Sequence, residues 1–133
     1  MNEVLVDTNV WLRYFLQDDV EQCRTIGKVI KKIKKGELKL VLLNEVVLEV
    51  SHVLESFYKL DKNSLAKMFL DLILVRGIVT ESVWVTVFME YPQGKLSLVD
   101  MFLKNLTLVK EQKLFTFDKK LAKSLGVRYL YEN

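Results

Sequence analysis

The chain has 133 residues, half of them apolar, and a formal net charge of +3. A chain this long buries about two-thirds of the surface that its unfolded form exposes, so residues 1–133 read as one domain with a packed core. Cys23 is the only cysteine and His52 the only histidine; an intrachain disulfide is excluded and a Cys/His zinc set is absent. Any metal must therefore be held by oxygen. The segment Met1-Asn2-Glu3-Val4 lacks the basic start and apolar run of a secretory signal. No stretch approaches the roughly 20 apolar residues that span a bilayer, so a soluble, cytoplasmic protein with no membrane contact is expected.

In chain order, Glu3 to Val6 reads as a short strand ending at Asp7, followed by a helical pattern through Trp11, Tyr14 and Phe15. Asp18 and Asp19 read as the start of a second helix, with Ile26, Val29, Ile30 and Ile33 as its apolar stripe and Gly36 as its stop. Leu38 to Leu43 is a second strand, and Asn44 a plausible N-cap for a helix from Glu45 to about Tyr58. Ser64 to Val75 reads as a helix stopped by Gly77, then Ile78 and Val79 as a brief strand, then Ser82 to Tyr91 as a short helix. Ser97 caps a helix to about Glu111; Leu114 to Phe117 is a further strand, Asp118 to Leu125 a short helix, and Val127 to Tyr131 a last strand. Strands alternating with helices predict an α/β fold with a mainly parallel sheet.

The placement of acids is the informative feature. Asp7 and Asp118 each follow a predicted strand, and ligands of open parallel sheets bind at the carboxyl ends of the strands. Asp100 stands among Leu98, Val99, Met101 and Phe102, where an unpaired buried carboxylate would be costly. Glu45 and Glu49 share one helix face at i, i+4 spacing, and periodicity does not choose between them. Three or four carboxylates drawn to one place repel one another, and a divalent cation such as Mg²⁺ relieves that conflict. Simpler roles compete. Asp7 and Asp118 suit helix N-caps, Glu45 suits a helix dipole, His52 suits a structural role, and the lysines between Lys28 and Lys39 suit a solvated helix face.

Taken in series, these segments resemble the PIN domain, and within it the small toxin-type members that work beside an antitoxin. Val6-Asp7-Thr8-Asn9 resembles the opening strand–Asp–Thr–Asn motif, and Glu49 in Val47-Leu48-Glu49-Val50 matches the second acid. Asp100 matches the third acid, and Thr116-Phe117-Asp118 resembles the closing Thr-Phe-Asp motif. Ser97 stands where the family often carries a further Asp. The resemblance covers essentially the whole chain and implies a three-layer fold with four or five mainly parallel strands flanked by helices.

The activity so implied is metal-dependent hydrolysis of a phosphodiester in single-stranded or looped RNA. Asp7, Glu49, Asp100 and Asp118 would serve as the catalytic acids, holding one or two ions of Mg²⁺ or Mn²⁺. Thr8, Asn9 and Thr116 would orient the carboxylates, and Arg13, Lys104, Lys119 and Lys120 are candidates for backbone phosphates. A cognate antitoxin and a homodimer are the implied partners. A haloacid-dehalogenase-type phosphatase is disfavoured because Asn9 stands where its second Asp belongs, and a phospho-receiver domain because Phe117-Asp118 occupies the place of its late Lys. The alternative from another class is an inactive PIN-like module that binds RNA or protein.

Overall fold

Strand and helix alternate through the first half of the chain because parallel strands need long crossovers, and here each crossover is a pair of helices. The computed structural model describes residues 2–126. The first strand, β1 (Glu3–Leu5), leads through α1 (Thr8–Leu16) and α2 (Val20–Lys34) to β2 (Lys39–Val41). From there α3 (Asn44–Ser56) and α4 (Lys62–Ile73) lead to β3 (Ile78–Val79). The sheet order is β1-β2-β3, all parallel, with Val4 opposite Leu40 and Leu40 opposite Ile78. Leu40 and Leu42 are buried, whereas Leu5 on the edge strand is 69% exposed.

Chain contacts divide the protein into two compact units, Met1–Glu81 and Ser82–Asn133. In the first, α3 buries Val47, Val50, Ser51 and Leu54, and α4 buries Leu65, Ala66, Phe69 and Leu72. These recur at helical spacing, as one inward face requires. Helix α1, with Trp11 and Leu12 buried, packs on α3, and Phe15 meets Phe69 edge-on at 5.0 Å. Gly77 sets the approach to β3. Its φ of +95° favours glycine, and an added Cβ would lie 2.8 Å from the Ile33 Cβ.

The second unit contains α5 (Val83–Glu90), a 3-10 turn (Tyr91–Gln93), α6 (Leu98–Lys110) and α7 (Lys119–Leu125). Its centre is an aromatic stack. Trp84 lies 4.6 Å from Phe102 at an interplanar angle of 6°, and 5.5 Å from Phe88. Buried Asn105 is satisfied there, its side-chain amide donating to Glu90 Oε1 and the Met101 carbonyl, each at 3.0 Å.

The α/β character and the parallel sheet agree with the sequence reading, and several boundaries move. The sheet has three strands among the described residues, not four or five. Leu114 forms only an isolated bridge and 115–117 no strand, with Phe117 84% exposed. An apolar run becomes a strand only where a partner backbone pairs with it. The predicted strand Val127–Tyr131 lies outside the described residues. Strand β2 is shorter than Leu38–Leu43 because only Lys39 to Val41 pair with β1. Asn44 is the first helical residue of α3, and Leu43 holds the cap position.

Helix α4 begins two residues before Ser64, because the Asp61 carboxylate accepts the Ser64 backbone N–H at 2.7 Å. That bond holds the Asp61 carboxyl below the usual carboxylate value. A lowered folded-state pKa gives stability that is present above the unfolded value and lost as pH falls through the folded one. Asp61→Asn, which keeps a capping oxygen without the titration, is therefore expected to flatten the decline in melting temperature below about pH 4. An unchanged acid limb in that variant would remove Asp61 from the account.

Candidate active site

Asp7 is placed by a change of direction. Strand β1 ends at Leu5, Val6 turns inward, and Asp7 caps α1 with its Oδ1 accepting the Val10 backbone N–H at 3.1 Å. Its other carboxylate oxygen enters no hydrogen bond among the described residues. Asp7 borders two clefts. One, of about 430 Å³, runs between α1 and α2 and is lined by Asn9, Val10, Arg13, Glu21, Gln22, Thr25 and Ile26. The other, of about 410 Å³, is apolar and is walled by β1 and by Ile26, Val29 and Ile30 of α2. The apolar stripe expected on α2 therefore buries Ile33 fully and leaves these three residues only partly covered.

Glu45 and Glu49 are both exposed on α3. Glu45 stands at the carboxyl edge of the sheet, lining a hollow of about 380 Å³ with Asn44, Thr80 and Glu81 at the ends of β2 and β3. Glu49 lies one turn further on and does not line that hollow. Glu81 was not singled out in the sequence, although its position after a brief strand is the same signal that marked Asp7.

In the second unit Asp100 is half-buried in the first turn of α6, and its backbone N–H donates to Ser97 Oγ at 3.2 Å. The Ser97 cap falls where the sequence put it. Asp118 caps α7, accepting the Leu121 backbone N–H at 3.0 Å on Oδ1. Thr116 acts on the backbone of Asp118, whose N–H donates to the threonine hydroxyl oxygen at 3.0 Å. No hydrogen bond joins Thr8 or Asn9 to the Asp7 carboxylate among the described residues; the α1 backbone orients it.

The candidate cations differ in setting. Arg13 reaches Asp18 at 3.2 Å, a partly exposed pair that contributes about 0–1 kcal/mol. Lys104 is half-buried in α6. Lys119 and Lys120 are exposed in the first turn of α7, where the helix dipole favours anions instead. Lys120 shares a shallow hollow with Lys95 and Lys123. Lys123 neighbours Lys120 through the i, i+3 spacing of α7, whereas Lys95 is an additional cation that only the folded loop before α6 brings beside it.

Carboxylate oxygens are hard donors suited to Mg²⁺ or Mn²⁺. Among the described residues no three or more His, Cys, Asp or Glu gather closely enough to hold one ion. Mg²⁺ is usually held by one or two carboxylates with several waters retained, so the donor set fits at that lower count. The described residues contain no helix long and apolar enough to cross a membrane.

No curated protein matches the chain. The family model of the PIN domain matches residues 4–124, a span holding Asp7, Glu49, Asp100 and Asp118. PIN domains are generally nucleases that use divalent metals and bind nucleic acid. With nearly the whole chain matched, this protein belongs to the PIN-domain family.

Proposed function

We propose that this chain is a metal-dependent endoribonuclease that hydrolyses phosphodiester bonds in single-stranded or looped RNA. The observation that carries the reading is Asp7, whose side chain is held by a single backbone bond at the edge of an open cleft, with one carboxylate oxygen uncommitted. Asp7, Glu49, Asp100 and Asp118 are the proposed metal-binding acids, and Glu45 is the competitor to Glu49. A bound Mg²⁺ or Mn²⁺ would polarise the phosphate and lower the pKa of a bound water. Arg13, Lys104, Lys119 and Lys120 are proposed to meet backbone phosphates, which position the strand without reading its sequence.

We further propose that the protein acts in the cytoplasm as the toxin of a toxin–antitoxin pair, as one domain over residues 1–133 and as a homodimer. The apolar cleft beside Asp7 supports an antitoxin partner, because an apolar segment seated there could bring a basic side chain to the carboxylate. The test is cleavage of a structured RNA by purified protein with Mn²⁺, its suppression by a chelator, and its loss on adding the small protein encoded next to this gene. RNA binding without cleavage under any divalent metal would sink the nuclease reading in favour of an inactive binding module. Absence of a neighbouring small reading frame would favour a housekeeping nuclease.

A further inference from the structure

The segment between α6 and α7 carries two aromatic rings on the protein surface. Phe115 is 54% and Phe117 84% exposed, and their centroids lie 5.3 Å apart at an interplanar angle of 75°. An edge-on contact covers at most one face of one ring, so the pair still presents π-surface outward. A residue just before an N-cap often packs on the fourth residue of its helix, which for α7 is Ala122. A single methyl is too small to cover a phenyl ring, and Phe117 stays in solvent. Burying a phenylalanine stabilises by about 1.5–3 kcal/mol, a gain that Phe117 forgoes among the described residues.

Charge around the rings narrows what covers them. Residues 110–123 hold five lysines against two acids, Glu111 and Asp118. Lys113, Lys119 and Lys120 flank the rings, all exposed and none in an ion pair or hydrogen bond among the described residues. Lys120 also borders the hollow of about 290 Å³ that Lys95, Lys123 and Ser124 line and no carboxylate lines. Three like charges at one hollow repel one another, and an anion there relieves the repulsion. Phe117 stands three residues before Lys120, so their Cα atoms lie at most about 11 Å apart. The core of a protein interface is depleted of lysine, which disfavours a protein as the cover. A single-stranded nucleic acid uses both features, since its bases stack on aromatic rings while cations track its backbone. In a duplex the bases are already stacked on one another and leave no face for Phe117.

We propose that Phe117, with Phe115 beside it, is a stacking platform for unpaired RNA bases, the adjoining phosphates being drawn to the hollow of Lys95, Lys120 and Lys123. Stacking tolerates any base, so the platform selects single strands over duplexes and not one base over another. It commits no carboxylate, and it keeps Lys120 in the phosphate role proposed above. Asp118 directly follows Phe117, so a strand seated on the rings passes beside a proposed metal-binding acid. For that consequence, though not for binding itself, the proposal rests on the nuclease reading.

The test titrates metal-free protein into a short fluorescent RNA without self-complementarity, and into the same RNA annealed to its complement. Phe117→Leu, which keeps an apolar side chain but no ring, should weaken single-strand binding by about 5- to 100-fold and leave duplex binding unchanged. Phe117→Trp should stay within about twofold of wild type, and its new indole should be quenched by the single strand. Lys95→Ala should reduce the slope of log affinity against log salt by about 0.7, whereas Phe117→Leu should not change it. Phe117 is exposed, so its variants are expected to fold, which far-UV circular dichroism checks. Wild-type single-strand affinity in Phe117→Leu, or an equal loss on the duplex, overturns the platform. A wild-type salt slope in Lys95→Ala overturns the phosphate hollow. Single-strand binding that needs Phe117, without cleavage under any divalent metal, upholds the platform and overturns the nuclease reading alone. Cleavage by Phe117→Leu with an unchanged KM overturns the platform alone. Unchanged RNA affinity with lost self-association in Phe117→Leu overturns it in favour of a protein interface.

Discussion

Asp7→Asn is expected to lower RNA cleavage by about 10²- to 10⁴-fold, because loss of a metal-binding carboxylate removes several kcal/mol of charge stabilisation. The same change should move the melting temperature by no more than about 2 °C, since Asn and Asp are nearly equivalent N-caps. The two effects separate because Asp7 does two things. Its Oδ1 holds the Val10 N–H, a bond that an amide oxygen can make, while its charge serves only an ion or a partner. Asp7→Ala removes both, and should add about 1 kcal/mol of destabilisation to the same loss of activity. Initial cleavage rates with Mn²⁺ and thermal melts of the three proteins check this. Equal cleavage by wild type and Asp7→Asn would point to a contaminating nuclease and end the assignment.

That double role explains why the carboxylates could be found in the sequence but not sorted there. A strand followed by Asp signals a helix cap and a sheet-edge ligand equally, and in the structure Asp7 and Asp118 are indeed caps, with an oxygen to spare on Asp7. Helix starts at Asp19 and Ser97 were legible because a cap is a local event, settled within four residues. The start of α4 was misread because Ser64 is as good a capping type as Asp61, and only the folded backbone shows which accepts the bond. Strand lengths depend on partners far along the chain; hence Leu38–Leu43 pairs over three residues and 114–117 yields one bridge. Glu81 beside Glu45, and Gln22 beside Asn9, are likewise products of packing.

Trp84→Ala is expected to destabilise the protein by about 3–5 kcal/mol, a large part of the 5–15 kcal/mol that holds a domain folded. Trp84 is fully buried and stacked on Phe88 and Phe102, so truncation removes these ring contacts and leaves a cavity that helices α5 and α6 cannot close without moving. Phenylalanine at this position, which keeps a ring in the stack, should recover part of the loss. Urea unfolding followed by circular dichroism measures the change, and a loss below about 1 kcal/mol would contradict the stack as the centre of this unit. The variant also has a built-in reporter. Its one remaining tryptophan is Trp11, buried on α1 in the Met1–Glu81 unit, so its fluorescence follows that unit alone. If Trp11 fluorescence and circular dichroism lose stability together, residues 1–133 unfold as one cooperative domain. If Trp11 keeps the wild-type midpoint while part of the circular dichroism signal melts early, the two units unfold separately. Then Asp7 and Glu49 would belong to a body that remains folded after Asp100 and Asp118 have lost theirs.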